Sequence, residues 1–343
     1  MILKKISLQN YTVFDEQTIE LNKGINIFIG ENGTGKTHLL KLLYSACQAA
    51  DKKVSFSHKI VFTMLPDDYK ISRLITRKAG NSTAAIHVTA SENGMKQEKV
   101  LSVKFHKKTT KWDADVTGET GWEETFSGVN SIFIPAKEIL SNSYNLNAAV
   151  DKNNIHFDDT YLDIINAAKI DVSVGRDTRE REMMLKEIES IIHGSVVYEP
   201  KKDEFYLKKG NSKQEFNLVA EGIRKMALLW QLVKNGTLEK GSILFWDEPE
   251  ANINPEYIPI IVNILLSLQR KGVQIFISTH DYVLASYFEV CMNENDNVLY
   301  HSFSFDANLD NKIRYEAGNK FGDLENNAII AAFNKLLDKI YNL

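Results

Sequence analysis

A chain of 343 residues, 43% hydrophobic and 25% charged, is long enough to bury a full core as one large domain or two small ones without covalent staples. Its two cysteines, Cys47 and Cys291, are too far apart for a C-x-x-C pair and too few for a disulfide framework, which predicts a reducing, cytoplasmic setting. A formal net charge of −4 speaks against a surface coated for nucleic acid while leaving room for a local basic groove, and neither a secretory leader nor a run of ~18 to 20 apolar residues that would span a membrane is legible.

In chain order, residues 1 to 30 read as strands: "ILKKISLQNY" and "TIEL" alternate, and "INIFIG" is a short apolar run ending in glycine. Beyond Thr37, residues Leu39, Leu40, Leu43, Ala46, Cys47 and Ala50 fall at helical spacing. From about 54 to 134 short alternating segments predominate, such as "AAIHVTAS" and "VLSVKF" around Glu92-Asn93-Gly94, and predict a mainly antiparallel sheet. Residues 138 to 194 are more helical, with "DTYLDIINAAK" and "RDTREREMMLKEIESIIHG", the latter stopping at Gly194 with His193 in its last turn. The strands "SVVYEP" and "EFYLKK" follow, then a helix from Glu221, and "LENNAIIAAFNKLLDKIYNL" closes the chain as an amphipathic helix.

Three constellations carry chemistry. "GENGTGKT" fits G-x-x-x-x-G-K-[ST], with Gly30, Gly33, Gly35, Lys36 and Thr37 in register between a strand and a helix. Its glycines let backbone N–H groups approach phosphate oxygens, Lys36 places a charge on the β- and γ-phosphates, and Thr37 can coordinate Mg2+. In "SILFWDEPEANINP" an apolar strand delivers two acids: Asp247 to hold the metal, Glu248 to orient and polarise a water. Asn254 and Pro255 cap the following helix, which ends at Arg270-Lys271-Gly272. "VQIFISTH" is a second apolar strand, ending at His280, 32 residues after Glu248. A neutral imidazole there can hydrogen-bond the γ-phosphate or the attacking water, although a strand-end histidine taken alone is more often a local cap or core residue.

The stretch "LVAEGIRKMALLWQLVKNG" places Gly222 25 residues before Asp247 at the mouth of a predicted helix. Here the sequence resembles the signature motif of ABC-type ATPases, L-S-G-G-Q or L-S-x-G-x-x-[RK], as found in the RecF/SMC branch. Residues Val219 to Lys225 would occupy it, with Ala220 where that motif has serine. An ordinary helix start with a flexible glycine is the other reading. "SIFIPAKEIL" then resembles the coupling loop of such enzymes, and its "PA" with charged residues is similar to defence-type relatives of RecF. There Lys137 or Glu138 would assist metal or phosphate, or simply start a helix.

With this order of motifs the chain resembles the RecF/SMC/ABC-type P-loop ATPase superfamily, and within it the AAA_21/AAA_15-like "AAA family ATPase" of bacterial anti-phage defence type. The resemblance implies an α/β P-loop core of ABC type with an antiparallel β-subdomain and a helical insert, one domain over 1–343. Its parts would be an N-terminal lobe over 1–53, a β-rich subdomain over 54–134, a mostly helical insert over 135–215 and a C-terminal lobe over 216–343. It implies ATP and Mg2+ as ligands, with Gly30, Glu31, Asn32, Gly33, Thr34, Gly35, Lys36, Thr37 and His38 on one side of the nucleotide. Gly222, Arg224 and Lys225 of a second copy would close the other side. Lys36, Glu248 and His280 would be catalytic, and Thr37 and Asp247 would hold the metal.

The function so implied is an ATP-hydrolysing switch that forms a head-to-tail dimer and controls a separate effector protein, a nuclease or toxin, since the chain carries no TOPRIM acidic triad and no H-N-H string of its own. The alternative is an ATP-gated DNA-binding factor of repair or recombination. The ATPase of a membrane transporter fits poorly with the inserted segments and Ala220, and the Glu248–His280 pair suits water activation better than phosphoryl transfer to a small alcohol.

Overall fold

Alternating apolar residues make β1 (Ile2–Tyr11) and β2 (Phe14–Glu20) an antiparallel hairpin, with Tyr11 paired to Phe14 across a two-residue turn. This computed structural model describes residues 1–78, 80, 82–95, 97–152, 155–172, 177–306 and 312–341. The wholly buried β3 (Ile25–Gly30) leads through the glycine loop into α1 (Lys36–Gln48), followed by α2 (Phe56–Met64). Next come β4 (Thr83–Ser91), β5 (Glu98–His106), β6 (Asp115–Thr117), α3 (Glu119–Phe126) and β7 (Ser131–Ile134). Helices α4 (Leu146–Asp151), α5 (Asp159–Lys169) and α6 (Arg179–Ile192) precede the small hairpin sheet of β8 (Ser195–Glu199), β9 (Glu204–Lys209) and β10 (Ser212–Glu215). The rest alternates: α7 (Glu221–Lys234), β11 (Ile243–Asp247), α8 (Ile258–Arg270), β12 (Gln274–Thr279), α9 (Tyr282–Cys291), β13 (Val298–Asp306), β14 (Lys312–Gly318) and α10 (Ala328–Tyr341).

Two large sheets sandwich α1. One is antiparallel, in the order β2-β1-β4-β5-β6; the other runs β14-β13-β3-β12-β11-β7, parallel throughout except for β14. The period of two in a strand sorts the central residues by type. Ile25, Ile27, Ile29, Leu244, Trp246, Ile275 and Ile277 face one core with α5 to α9, whereas Phe28, Phe133, Phe245 and Phe276 face a second core with α1 and the antiparallel sheet.

The β-strands and helices expected from the sequence form with two adjustments. The antiparallel sheet takes β1 and β2 from the first 53 residues, and the parallel sheet takes β7 from the segment 54–134, so sheet order crosses both boundaries read from the sequence. Apolar strand faces pair with whichever core they complete, regardless of chain distance. Helix α6 ends one residue early, because His193 adopts a left-handed conformation (φ 52) as its C-cap and is not part of the last turn. Arg176 at the head of that predicted run and Asn342 and Leu343 at the end of the C-terminal one lie outside the described residues.

Candidate functional site

The site stands at the C-terminal ends of β3, β12 and β11, three neighbouring parallel strands, where open α/β sheets bind ligands. Gly30 leaves β3 with φ 142, and a Cβ there would sit 2.0 Å from the Phe303 carbonyl oxygen, so only glycine lets the loop turn this close to β13. Within the loop the Thr34 hydroxyl donates to the Glu31 carbonyl at 2.8 Å. The Lys36 ammonium donates to the carbonyls of Gly30 and Glu31, each at 2.8 Å. Burial pulls Lys36 below its ordinary pKa, while Glu248, Asp247 and Glu250 pull it back up. The result is a cation held at the N-terminus of α1, which together form a phosphate cradle.

Thr37, in the first turn of α1, has its hydroxyl 3.1 Å from both carboxylate oxygens of Asp247. Strand pairing places Asp247 beside Ser278, whose hydroxyl also bonds the carboxylate. Burial pushes Asp247 above the usual carboxylate range, partly offset by those two hydroxyls. A buried carboxylate beside a threonine hydroxyl is a pair of hard oxygen donors and fits Mg2+, which takes few protein ligands and completes its shell with water and phosphate oxygens.

Glu248 follows the strand with φ 48, an uncommon conformation for a non-glycine residue, and its N–H donates to the Ser278 carbonyl at 2.9 Å. Its Oε1 lies 3.2 Å from His280 Nδ1, and both side chains remain partly open to solvent. Lys36, Thr37, Asp247, Glu248 and His280 are thereby brought together. Beside Gly30–Asn32 and His280 a cavity of about 540 Å3 opens, walled on its far side by Ile329, Phe333 and Leu336 of α10. His38 is less open: burial pulls its pKa down, and its Nδ1 has no hydrogen-bond partner in the structure.

The predicted signature segment lies elsewhere. A Cβ on Gly222 would meet the Asn252 carbonyl oxygen at 2.4 Å, so this glycine lets α7 dock on the turn after β11. Lys225 is buried and donates to the carbonyls of Ala251 at 2.9 Å and Glu248 at 3.3 Å. Arg224 donates to Phe216 and Val219 carbonyls and pairs with Glu138 at 2.7 Å. Both cations therefore brace their own chain in the single copy described. Glu138 is likewise no metal ligand: its carboxylate is fully buried, pairs with Arg224 and caps Ser141 through its N–H at 3.1 Å and hydroxyl at 2.8 Å. Only a single 3-10 turn, Leu140–Asn142, follows this segment, and Lys137 is exposed.

Sequence reasoning misses Ser278, Thr279 and Glu250. Thr279 Oγ1 donates to Glu250 Oε1 at 2.6 Å, and burial raises the Glu250 carboxyl to about 7 despite that bond. The hydroxyls before His280 in "IST" and the second glutamate of "DEPE" are the only hints in the sequence, because the contact joins the end of β12 to the turn after β11.

P-loop, metal pair, strand-end glutamate and histidine on this parallel sheet define a RecF/SMC-like ABC-type P-loop ATPase. The family described as "AAA domain, putative AbiEii toxin, Type IV TA system" matches residues 25–286, well over half of the chain, and the chain belongs to that family. The DNA replication and repair protein RecF of Streptococcus suis (strain 05ZYH33) is 30% identical over 111 residues, 31% of this chain and 30% of the relative. RecF of Clostridium botulinum (strain Eklund 17B / Type B) is 31% identical over 107 residues, so less than a third of these curated relatives is matched. Among solved structures, an SMC head bound to the C-winged helix domain of ScpA covers 93% of this chain and 98% of its own with a TM-score of 0.61 at 12% identity. The SMC head domain from Thermotoga maritima follows at 0.53 and 14% identity, covering 93% of this chain and 100% of its own. At such identities the likeness is one of fold.

Proposed function

We propose that this chain is a cytoplasmic, ATP-hydrolysing switch that acts as one unit over residues 1–343 and pairs head to tail with a second copy. The observation that carries the reading is the Glu248–His280 contact at 3.2 Å beside the Thr37–Asp247 pair, at the mouth of the phosphate loop. Lys36 and the loop N–H groups bind the phosphates, and Glu248 orients a water and accepts its hydrogen bond. His280, its Nδ1 3.2 Å from Glu248 Oε1, stands at the same mouth, where its imidazole would hydrogen-bond the γ-phosphate or the attacking water. Thr37 and Asp247 would hold Mg2+, which would supply neutralising charge at the phosphate oxygens.

Docked on the turn after β11, the N-terminus of α7 offers backbone N–H groups from Glu221 onward to the nucleotide of the other copy. Ala220 contributes no side-chain cap there, so this contact rests on backbone alone. Closing and opening of the pair would control a separate effector, a nuclease or toxin, in anti-phage defence. The family's description, which names a toxin–antitoxin system, and the fold likeness to an SMC head carrying a protein partner favour that output. DNA is the second reading, favoured by the RecF relatives.

Glu248→Gln is expected to bind ATP and Mg2+, lose turnover by about 100-fold or more, and accumulate as a dimer in light scattering. A variant that stays monomeric with ATP over a wide concentration range overturns the paired switch. Salt-sensitive, ATP-stimulated binding of duplex DNA by the same variant would move the assignment to the DNA reading.

A further inference from the structure

Glu250 lies two residues beyond Glu248 in the turn after β11, and no role assigned to Lys36, Thr37, Asp247, Glu248 or His280 uses it. Its Oε1 accepts the Thr279 hydroxyl at 2.6 Å, and its Oε2 is buried without a hydrogen-bond partner. Thr279 Oγ1 in turn accepts the N–H of Asp281 at 2.9 Å. The carboxyl thus holds Thr279 before His280, and the same hydroxyl holds Asp281 after it.

The other end of the linkage is equally fixed. Glu250 accepts the N–H of Ile253 at 3.0 Å through its own carbonyl, Glu248 accepts that of Ala251 at 3.1 Å, and Lys225 holds the carbonyls of Glu248 and Ala251 from below. The turn is therefore a rigid piece, and its Glu248 is kept at φ 48 by these contacts. A buried carboxyl with one oxygen unfilled is costly wherever it has only a structural task. Here its single side-chain bond joins the piece that carries Glu248 to the strand end that carries His280.

We propose that Glu250 is a positioning residue for hydrolysis, locking the His280 imidazole against Glu248 through the Thr279 hydroxyl. The assignment rests on the reading of Glu248 and His280 as the water-activating pair. Without the lock the two side chains remain, but their separation is no longer set, and displacement by about 1 Å costs on the order of 100-fold in rate. Glu250 makes no hydrogen bond to the phosphate loop and reaches Lys36 only through its charge, so ATP affinity should change far less than turnover.

The test is steady-state ATP hydrolysis with Mg2+ by the full chain, alongside equilibrium ATP binding, for wild type and for Glu250→Ala, Glu250→Gln, Thr279→Val and Thr279→Ser. Glu250→Ala and Thr279→Val should each lower kcat by about 10- to 100-fold with ATP affinity little changed. Glu250→Gln and Thr279→Ser, which keep the acceptor and the donor, should recover most of that loss. Wild-type turnover in Glu250→Ala overturns the assignment alone. So does a parallel loss of ATP binding and turnover, or a Glu250→Gln as slow as the alanine variant. A wild-type chain with no turnover at all sinks both this assignment and the hydrolytic reading beneath it.

Discussion

At the scale of single residues, the Glu250 carboxyl leaves a thermodynamic signature separate from any catalysis. Burial raises it from an ordinary 4.5 to about 7, with Asp281 raising it further and His280 and the Thr279 bond opposing. Lys36 and Lys225 also feel its charge. The folded chain then holds the proton more tightly than the unfolded chain does. This stability is fully present below about pH 4.5 and is lost as pH rises to about 7, by up to ~3 kcal/mol. Urea denaturation of the nucleotide-free, Mg2+-free protein should show that decline, and Glu250→Gln should flatten it; an unchanged slope in Glu250→Gln would assign the decline to other groups. The residues legible in the sequence, Lys36, Thr37, Asp247 and Glu248, sit in contiguous strings whose chemistry depends on local spacing. Glu250 and Thr279 are 29 residues apart and meet only through the parallel register that sets Asp247 beside Ser278. No local pattern encodes that register.

Among the elements, α7 is the one whose role changes most between sequence and structure. Its amphipathic spacing is plain in the sequence, and its glycine and two cations read as a phosphate-binding segment. Packing turns those same residues inward: Gly222 admits the Asn252 carbonyl, Lys225 braces the Glu248 turn, and Arg224 reaches the segment after β7. Helix α7 is thus bolted both to the catalytic turn and to the Glu138 segment. The Glu138 side chain is 0% exposed, so Arg224→Ala strands a buried carboxylate with only its Ser141 bonds and should cost about 3 kcal/mol. Glu138→Ala should cost less, because Arg224 keeps two backbone carbonyls and is 16% exposed. The double variant should then be less destabilised than the sum of the two, as expected for residues in contact. Urea midpoints of the three variants decide this; strict additivity would mean the pair contributes nothing as a pair.

For the whole molecule, the parallel core is legible because strands buried on both faces read as unbroken apolar runs, as in "INIFIG" and "VQIFIS". Strand β13 escapes such a reading since "VLYHSFSFD" carries histidine and serine into the interior. His301 is buried, bonded to Tyr315 at 2.9 Å and near Asn26 at 3.2 Å, and burial lowers its pKa to about 3, so it packs as a neutral ring between β3 and β14. Stability is therefore graded across the chain. Strands β3, β11 and β12 lie between two cores, whereas α10 has no buried residue and is held largely by its packing on α9 and β3, including the Tyr282–Phe333 stack at 4.0 Å and 6°. Hydrogen exchange should accordingly be fastest in α10 and slowest in those three strands. Phe333→Ala removes the stack, and losing ~1 kcal/mol there should speed exchange in α10 roughly fivefold while leaving the central strands unchanged. Faster exchange spreading into β3 and the phosphate loop would instead mean that α10 and the nucleotide site unfold as one unit. Phe333 would then act on ATP binding from the far wall of the cavity that it shares with His280.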